Sequence, residues 1–376
     1  MAASAQPAPE DFEAWFRLLA TPGVGRVTAR RLLAACGSPD AVLRAPRATL
    51  QALAGAAVAH AVGAADAAID ERLVQAQRWL AGGPARSVLT LGDPAYPARL
   101  LQTADPPLML YVEGALPALS APALAIVGSR SATAQGLDNA RAFAAALGRD
   151  GLVVVSGLAL GIDAAAHEGA LAAPAGTVAV LGTGLEPVYP PRHAALARRI
   201  AAHGALLSEN PPGTPPLREH FPQRNRIIAG MTLGTLVVEA AVASGSLITA
   251  RQAAEAGREV FAIPGSIHSP QARGCHALIK QGAKLVESAA DILDELRGAR
   301  AGTASVPSGA AAGAQDPAAS ADPLLQALGH DPVTLDALQA RTGCSNAELN
   351  ARLLELELDG RVARLPGGLF QRRSAG

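Results

Sequence analysis

LAIVGSRSATAQGLDNARAFAAALGRDGLVVVSG, residues 124–157, decides the fold. An apolar run ends in Gly128, a polar step Ser129-Arg130-Ser131 follows, and a helical pattern over 135–150 leads to a second apolar run ending in Ser156-Gly157. The same grammar continues through TVAVLG (177–182), LGTLVVE (233–239), REVFAIPG (258–265) and AKLVES (283–288), with a further helical pattern, SLITARQAAEAG, over 246–257. Strand, helix, strand, repeated, is the signature of a parallel sheet with helices on both faces. Several of these strands end in Gly or Ser at their carboxyl ends, where an open parallel sheet takes its ligand.

The flanks read differently. Residues 11–80 are short helices, and within them TPGVGRVTARRLLAACGS (21–38) has a Gly-x-Gly turn, an amphipathic helix and a Gly-Ser stop. This resembles a helix-hairpin-helix or SAM-like element, whose turn N–H groups can hold a phosphate; an ordinary bundle with Gly caps has the same pattern. A boundary is expected near 82–86, GGPAR. Residues 299–321, almost wholly Ala, Gly, Ser and Pro, bury too little to order themselves and read as a tether. Beyond it, 322–376 shows helix, turn at Thr342-Gly343-Cys344, longer helix and two strands joined at Pro366-Gly367-Gly368, the order of a winged helix. Six Arg stand against seven Asp and Glu there, so the tail has no basic face, and contact with protein is as compatible with it as contact with DNA. The expected organisation is therefore a helical domain over 1–82, an α/β core over 83–298, a linker over 299–321 and a winged helix over 322–376.

Composition narrows the function. Formal net charge is zero, so attraction to anions must be local rather than global. Cys36, Cys275 and Cys344 lie far apart and form no CxxC pair, which suggests neither disulfides nor zinc. The first fifteen residues carry no apolar signal segment, and no uncharged apolar run reaches membrane-spanning length. A soluble, cytoplasmic protein is expected.

The chemistry-bearing residues gather at the strand ends. Gly128, Ser129, Arg130 and Ser131 form a turn before a helix, suited to phosphate. It is not GxGxxG, and no acidic residue ends the next strand to hold a ribose, so no dinucleotide cofactor is expected. SGLALGIDAAAHEGAL (156–171) adds Gly157 and Gly161, with Asp163 and His167 one helical turn apart; with no nucleophile beside them, a helix cap and a packed imidazole are the expected roles. FPQRNRIIAG (221–230) places Phe221, Arg224, Asn225 and Arg226 ahead of a helix and strand, and Ser244-Gly245-Ser246 opens the helix that carries Thr249. Phosphate binders abound; no metal cluster and no activated nucleophile is read, so no catalytic residue and no metal ligand is expected.

Taken in order, GSRSAT, SGLALGIDAAAHEGAL, FPQRNRIIAG, VVEAAVASGSLITA and REVFAIPG resemble the DprA/Smf family of DNA-processing proteins. The resemblance spans the chain and implies an extended Rossmann-like core between a SAM-like domain and a winged helix. It further implies a dimer that binds single-stranded DNA without hydrolysing it, protects incoming DNA and loads the RecA recombinase during natural transformation. Arg130 and Arg224 would then be phosphate clamps, with Ser131, Asn225 and Arg226 near them. Gly157, Gly161, Ser244, Gly245 and Ser246 would shape the loops, and Phe221 would line a base pocket or anchor the core. Two positions depart from the family pattern: His193 and His276 stand where Asn is usual.

One rival belongs to another class. GMTLGTLVVEA (230–240) resembles the PGGxGTxxE loop of LOG-type nucleoside monophosphate phosphoribohydrolases, in which Glu239 would face the ribose while Arg224 or Arg226 held the phosphate. Here MTL replaces the PGG.

Overall fold

The computed structural model describes residues 9–301, 322–328, 333–365 and 368–373. The chain starts with six helices: α1 (Pro9–Ala20), α2 (Arg26–Cys36), α3 (Pro39–Leu43), α4 (Arg47–Ala54), α5 (Ala56–Val62) and α6 (Ala67–Ala81). Gly23 and Gly37, both with positive φ, turn the chain before α2 and close that helix.

The core follows as β1 (Arg86–Thr90), β2 (Met109–Gly114), α7 (Pro117–Ser120), β3 (Ala123–Val127), α8 (Ala134–Arg149), β4 (Val153–Ser156), α9 (Ile162–Leu171) and β5 (Thr177–Leu181). It continues through α10 (Ala194–His203), β6 (Ala205–Ser208), α11 (His220–Gly230), β7 (Gly234–Val237) and α12 (Ser246–Glu255). The last part holds β8 (Glu259–Ala262), α13 (Arg273–Lys280), β9 (Lys284–Leu285) and α14 (Ala289–Ala301). The nine strands form one sheet in the order β1-β2-β6-β5-β4-β3-β7-β8-β9, parallel from β6 to β9. β1 and β2 extend it antiparallel at one edge.

Side chains of a strand alternate between faces, and β3 shows how both are filled. Ala123, Ala125 and Val127 enter one cluster with Ile227, Ile228 and Ala250 from α11 and α12. Leu124 and Ile126 enter the other with Phe143, Leu147, Ala166 and Phe261. Leu124 and Ile126 are wholly buried, each contributing about 1.5–3 kcal/mol. A third cluster joins Phe12, Phe16, Leu73 and Trp79 of α1 and α6 to Met109, Tyr111 and Leu181, so these helices pack directly on the sheet.

The tail comprises α15 (Pro323–Leu328), β10 (Val333–Thr334), α16 (Leu335–Thr342), α17 (Asn346–Leu358), β11 (Val362–Leu365) and β12 (Leu369–Arg372), with sheet order β10-β12-β11. Gly343 closes α16 in the left-handed region, and Ser345 with Glu348 forms a capping box on α17. The turn read at Thr342-Gly343-Cys344 is therefore used as the cap of α16.

Every strand read from the sequence exists. Four others, β1, β2, β6 and β10, were not anticipated. The expected tether overlaps α14 at 299–301, and the rest of it, 302–321, lies outside the described residues, as do Pro366 and Gly367 of the turn between the last two strands. Arg224, Asn225 and Arg226 do not precede a helix; they lie within α11. Pro222 is tolerated there because the first turn of a helix has no N–H partners to lose.

Candidate nucleic-acid interface

Between β3 and β7 the direction of winding reverses: β3 leads through α8 to β4 on one side, and β7 leads through α12 to β8 on the other. Connections therefore leave in opposite directions and open a crevice at the strand carboxyl ends. A cleft of 530 Å³ occupies this place. Ten of the expected residues line it: Gly128, Ser129, Arg130, Ser131, Phe221, Arg224, Asn225, Ser244, Gly245 and Ser246.

Arg224 is the centre of the arrangement. It is 6% exposed, and its Nε and Nη1 have no hydrogen-bond partner among the described residues. A buried guanidinium left in that state is costly, which is why buried charges are normally paired. Burial pushes Arg224 down to about 10, a shift that Asp163 opposes and Arg130 adds to. The side chain therefore remains a cation at neutral pH. Asp163 is itself buried, and its Oδ2 accepts from the N–H groups of Gly157 and Ala159 at 3.1 and 3.3 Å. Burial raises its pKa while Arg224 and those two N–H groups pull the other way. Asp163 thus pins the 157–159 loop beneath Arg224 instead of capping α9.

His167 behaves as a packed imidazole. Thr177 Oγ1 donates to the Val154 carbonyl at 2.6 Å and so accepts from His167 Nδ1 at 2.8 Å. Burial, with the charge of Arg224 next, pushes this imidazole down to about 3 and keeps it neutral.

The glycines act by making room. A Cβ on Gly157 would stand 1.5 Å from Arg224 Nη1, and one on Gly161 would stand 2.3 Å from the Ser129 carbonyl oxygen. Gly161 also has φ +75°. Neither residue lines the cleft; each lets a neighbour occupy the space that shapes it.

The rim is polar and cationic. Arg130 is exposed and lies 5.7 Å from the ring centroid of Phe221, a cation–π distance. Ser129 Oγ accepts from the Ser131 N–H at 3.1 Å, and its N–H donates to the Glu239 carbonyl at 2.8 Å. Opposite, the hydroxyls of Ser244 and Ser246 lie 2.7 Å apart at the start of α12. Gly245 lines the cleft between them, and the Ser246 N–H donates to Ser244 Oγ at 3.4 Å. Sequence reading missed Gln271, a cleft residue whose buried Oε1 has no partner. It lies six residues beyond the IPG run on a loop, where no periodicity marks it.

Arg226 does not belong to this cleft. It donates to Glu209 Oε1 at 2.6 Å and to the Asp105 carbonyl at 2.7 Å. Arg26 Nε meets Asp105 Oδ2 at 2.8 Å, and Arg30 pairs with the same carboxylate. Burial works against ionisation of Asp105, but Arg30, Arg226 and Arg26 hold it below the usual carboxylate range. Arg226 therefore ties α2 to the core. Two residues on a helix differ by about 200° of rotation, so Arg224 and Arg226 leave opposite faces of α11.

Glu239 also lies elsewhere. Its carboxylate accepts from the N–H and hydroxyl of Thr133 and lines a separate cleft of 270 Å³ with Gln135, Asn139 and Gln371. Gln371 donates to Gln135 Oε1 at 3.0 Å, which sets β12 against the start of α8. His193 and His276 each use a ring nitrogen on a backbone carbonyl, those of Leu158 and Gly265, both at 2.9 Å. A ring N–H donor does there what an Asn amide can do. No group of three or more potential metal ligands occurs among the described residues, and none of their helices is long and apolar enough to cross a membrane.

Residues 87–297 match the family described as DNA recombination-mediator protein A, and residues 308–368 match the DprA winged helix domain. Protein Smf of Escherichia coli is 45% identical over 283 residues, 74% of this chain and 76% of that protein. The DNA processing protein DprA of Streptococcus pneumoniae is 48% identical over 212 residues, covering 56% of this chain and 74% of its own. Its X-ray structure, at 36% identity, covers 77% of this chain and 98% of that chain with a TM-score of 0.66. DNA processing protein A of Helicobacter pylori, whose structure was described for its single-stranded DNA binding mode, is 28% identical over 56% of this chain and 95% of its own, with a TM-score of 0.51. With its core, its tail and three quarters of the Escherichia coli protein matched, the chain belongs to the DprA/Smf family of DNA-processing proteins.

Proposed function

We propose that this protein binds single-stranded DNA in the cleft between β3 and β7 and holds it without cutting it. The observation that carries the reading is Arg224, a buried cation whose Nε and Nη1 lack partners at the floor of a cleft rimmed by Arg130, two serines and a helix start. Such a site satisfies a phosphate. Phe221 beside Arg130 gives a base a surface to stack on, and stacking is indifferent to sequence. A base reaches that surface only when it is unpaired, which discriminates against duplex. In the cell the bound strand would be DNA entering during natural transformation. A homodimer would hold it at two clefts and pass it to RecA, roles supported by family membership.

The phosphoribohydrolase alternative asks Glu239 and a phosphate-holding arginine to share one cleft. Arg224 lines one cleft and Glu239 another, while Arg226 is taken by Glu209 and Asp105. Incubation with AMP is accordingly expected to release no adenine; turnover that disappears in Glu239→Gln would reverse this reading. The binding test is a comparison of labelled single-stranded and duplex oligonucleotides. Tight single-strand binding, with duplex at least about tenfold weaker, is expected. Equal binding of both would contradict the base pocket.

A further inference from the structure

The geometry points to a second nucleotide subsite outside the cleft, on Tyr189 and Arg192, that continues the strand's path beyond Phe221. This rests on the single-strand reading above. Phe221 has Arg130 at 5.7 Å and Tyr189 at 5.8 Å between ring centroids, the two rings tilted by 50°. Tyr189 does not line the cleft and is 43% exposed. An aromatic ring that packs on a cleft residue while presenting this much surface is a stacking platform in waiting.

The loop that carries it is well anchored, as a platform must be. Leu185 is buried, Val188 packs on the cluster beneath α10, and the Glu186 carbonyl accepts from Gly213 N–H at 2.8 Å. His193 fastens the far end to the Leu158 carbonyl. The acid of this loop, Glu186, pairs with Arg86 at 3.4 Å. Arg192, three residues after Tyr189, is exposed and makes no ion pair among the described residues. A ring for a base and an exposed guanidinium for its phosphate thus stand three residues apart on one loop, with the ring one step from the cleft. Adjacent bases of a stretched single strand would occupy Phe221 and Tyr189 in turn, and Arg192 would meet the phosphate that follows.

Binding of oligothymidylates of about three and about ten nucleotides separates this subsite from the cleft. Tyr189→Ala is expected to weaken the longer about tenfold and leave the shorter unchanged. Arg192→Ala should weaken the longer and flatten its salt dependence. Tyr189→Trp should keep affinity, and its indole emission should be quenched by the longer oligonucleotide above the constant background of Trp15 and Trp79. If Tyr189→Ala matches wild type at both lengths, with no quenching in the Trp variant, the subsite does not exist, and the cleft reading stands provided Arg130→Ala/Arg224→Ala weakens both. Equal loss at both lengths would make Tyr189 part of the cleft and overturn a separate subsite. Wild type binding neither length would fell the function and the subsite together.

Discussion

Arg224 and Arg226 stand two residues apart on one helix and have opposite surroundings. Arg226 faces Glu209 and Asp105, shares them with Arg26 and Arg30, and closes the junction between the helical region and the core. Arg224 faces a cleft in which Asp163 is the acid, and that acid already accepts two backbone N–H groups. One arginine has its anions built into the fold; the other is arranged for an anion that arrives. The contrast bears on how a chain of zero net charge would attract an anion: the arginine with its acids built in braces the fold, and the one without them faces the cleft.

Breaking the cleft side should have the largest effect. Arg130→Ala with Arg224→Ala removes two charge-assisted contacts and should reduce single-strand affinity by at least about a hundredfold in equilibrium binding. Arg224→Met should do most of this while leaving the unfolding free energy from urea titration within about 1 kcal/mol of wild type, because a buried charge with few partners adds little to stability. Gly157→Ala should imitate the loss, since its methyl group claims the place of the guanidinium.

The junction side should reverse the pattern. Arg226→Met leaves Glu209 and Asp105 short of a partner in a half-buried setting and should lower stability by about 2 kcal/mol. Single-strand affinity should stay within about threefold of wild type. An Arg226 variant that is stable and fails to bind would erase the distinction drawn here.

Phe221→Ala sharpens the cleft side by separating stacking from charge. Affinity should fall about tenfold with an unchanged salt dependence, because no phosphate contact is lost.

The smallest expected effect is on pH. His167 is held neutral in the folded state, near 3, and rises to about 6.5 when unfolded. Its folded value is depressed, so the unfolded chain binds the extra proton as pH falls and stability declines below the unfolded value. Between pH 7.5 and 5.5 this contributes a loss of about 1 kcal/mol. His167→Gln should lose that much less over the same interval in paired urea titrations.

Sequence made the parallel half of the sheet legible because strands buried on both faces are apolar throughout, as in LAIV and LVVV. It hid β6, whose four residues follow α10 after the single Gly204, and whose Ala and Leu suit a helix equally well. The antiparallel β1 and β2 were concealed by the same ambiguity of short apolar runs. At the site, loop residues next to strand ends could be read because topology sends every such loop to one edge. The fate of Arg226 could not, because its partners lie 17 and 121 residues away and only folding brings them near. Likewise, nothing in the spacing of Asp163 and His167 tells that one braces a loop and the other a threonine.

The most direct test of the central claim is the salt dependence of single-strand binding, measured by fluorescence anisotropy for wild type and for Arg130→Ala/Arg224→Ala. The logarithm of the association constant should fall linearly with the logarithm of salt, and the variant should bind weakly with a slope shallower by about 1.4, the share of two phosphate contacts. Identical slopes and affinities in the two proteins would mean that the unpaired arginines of the cleft do not hold DNA.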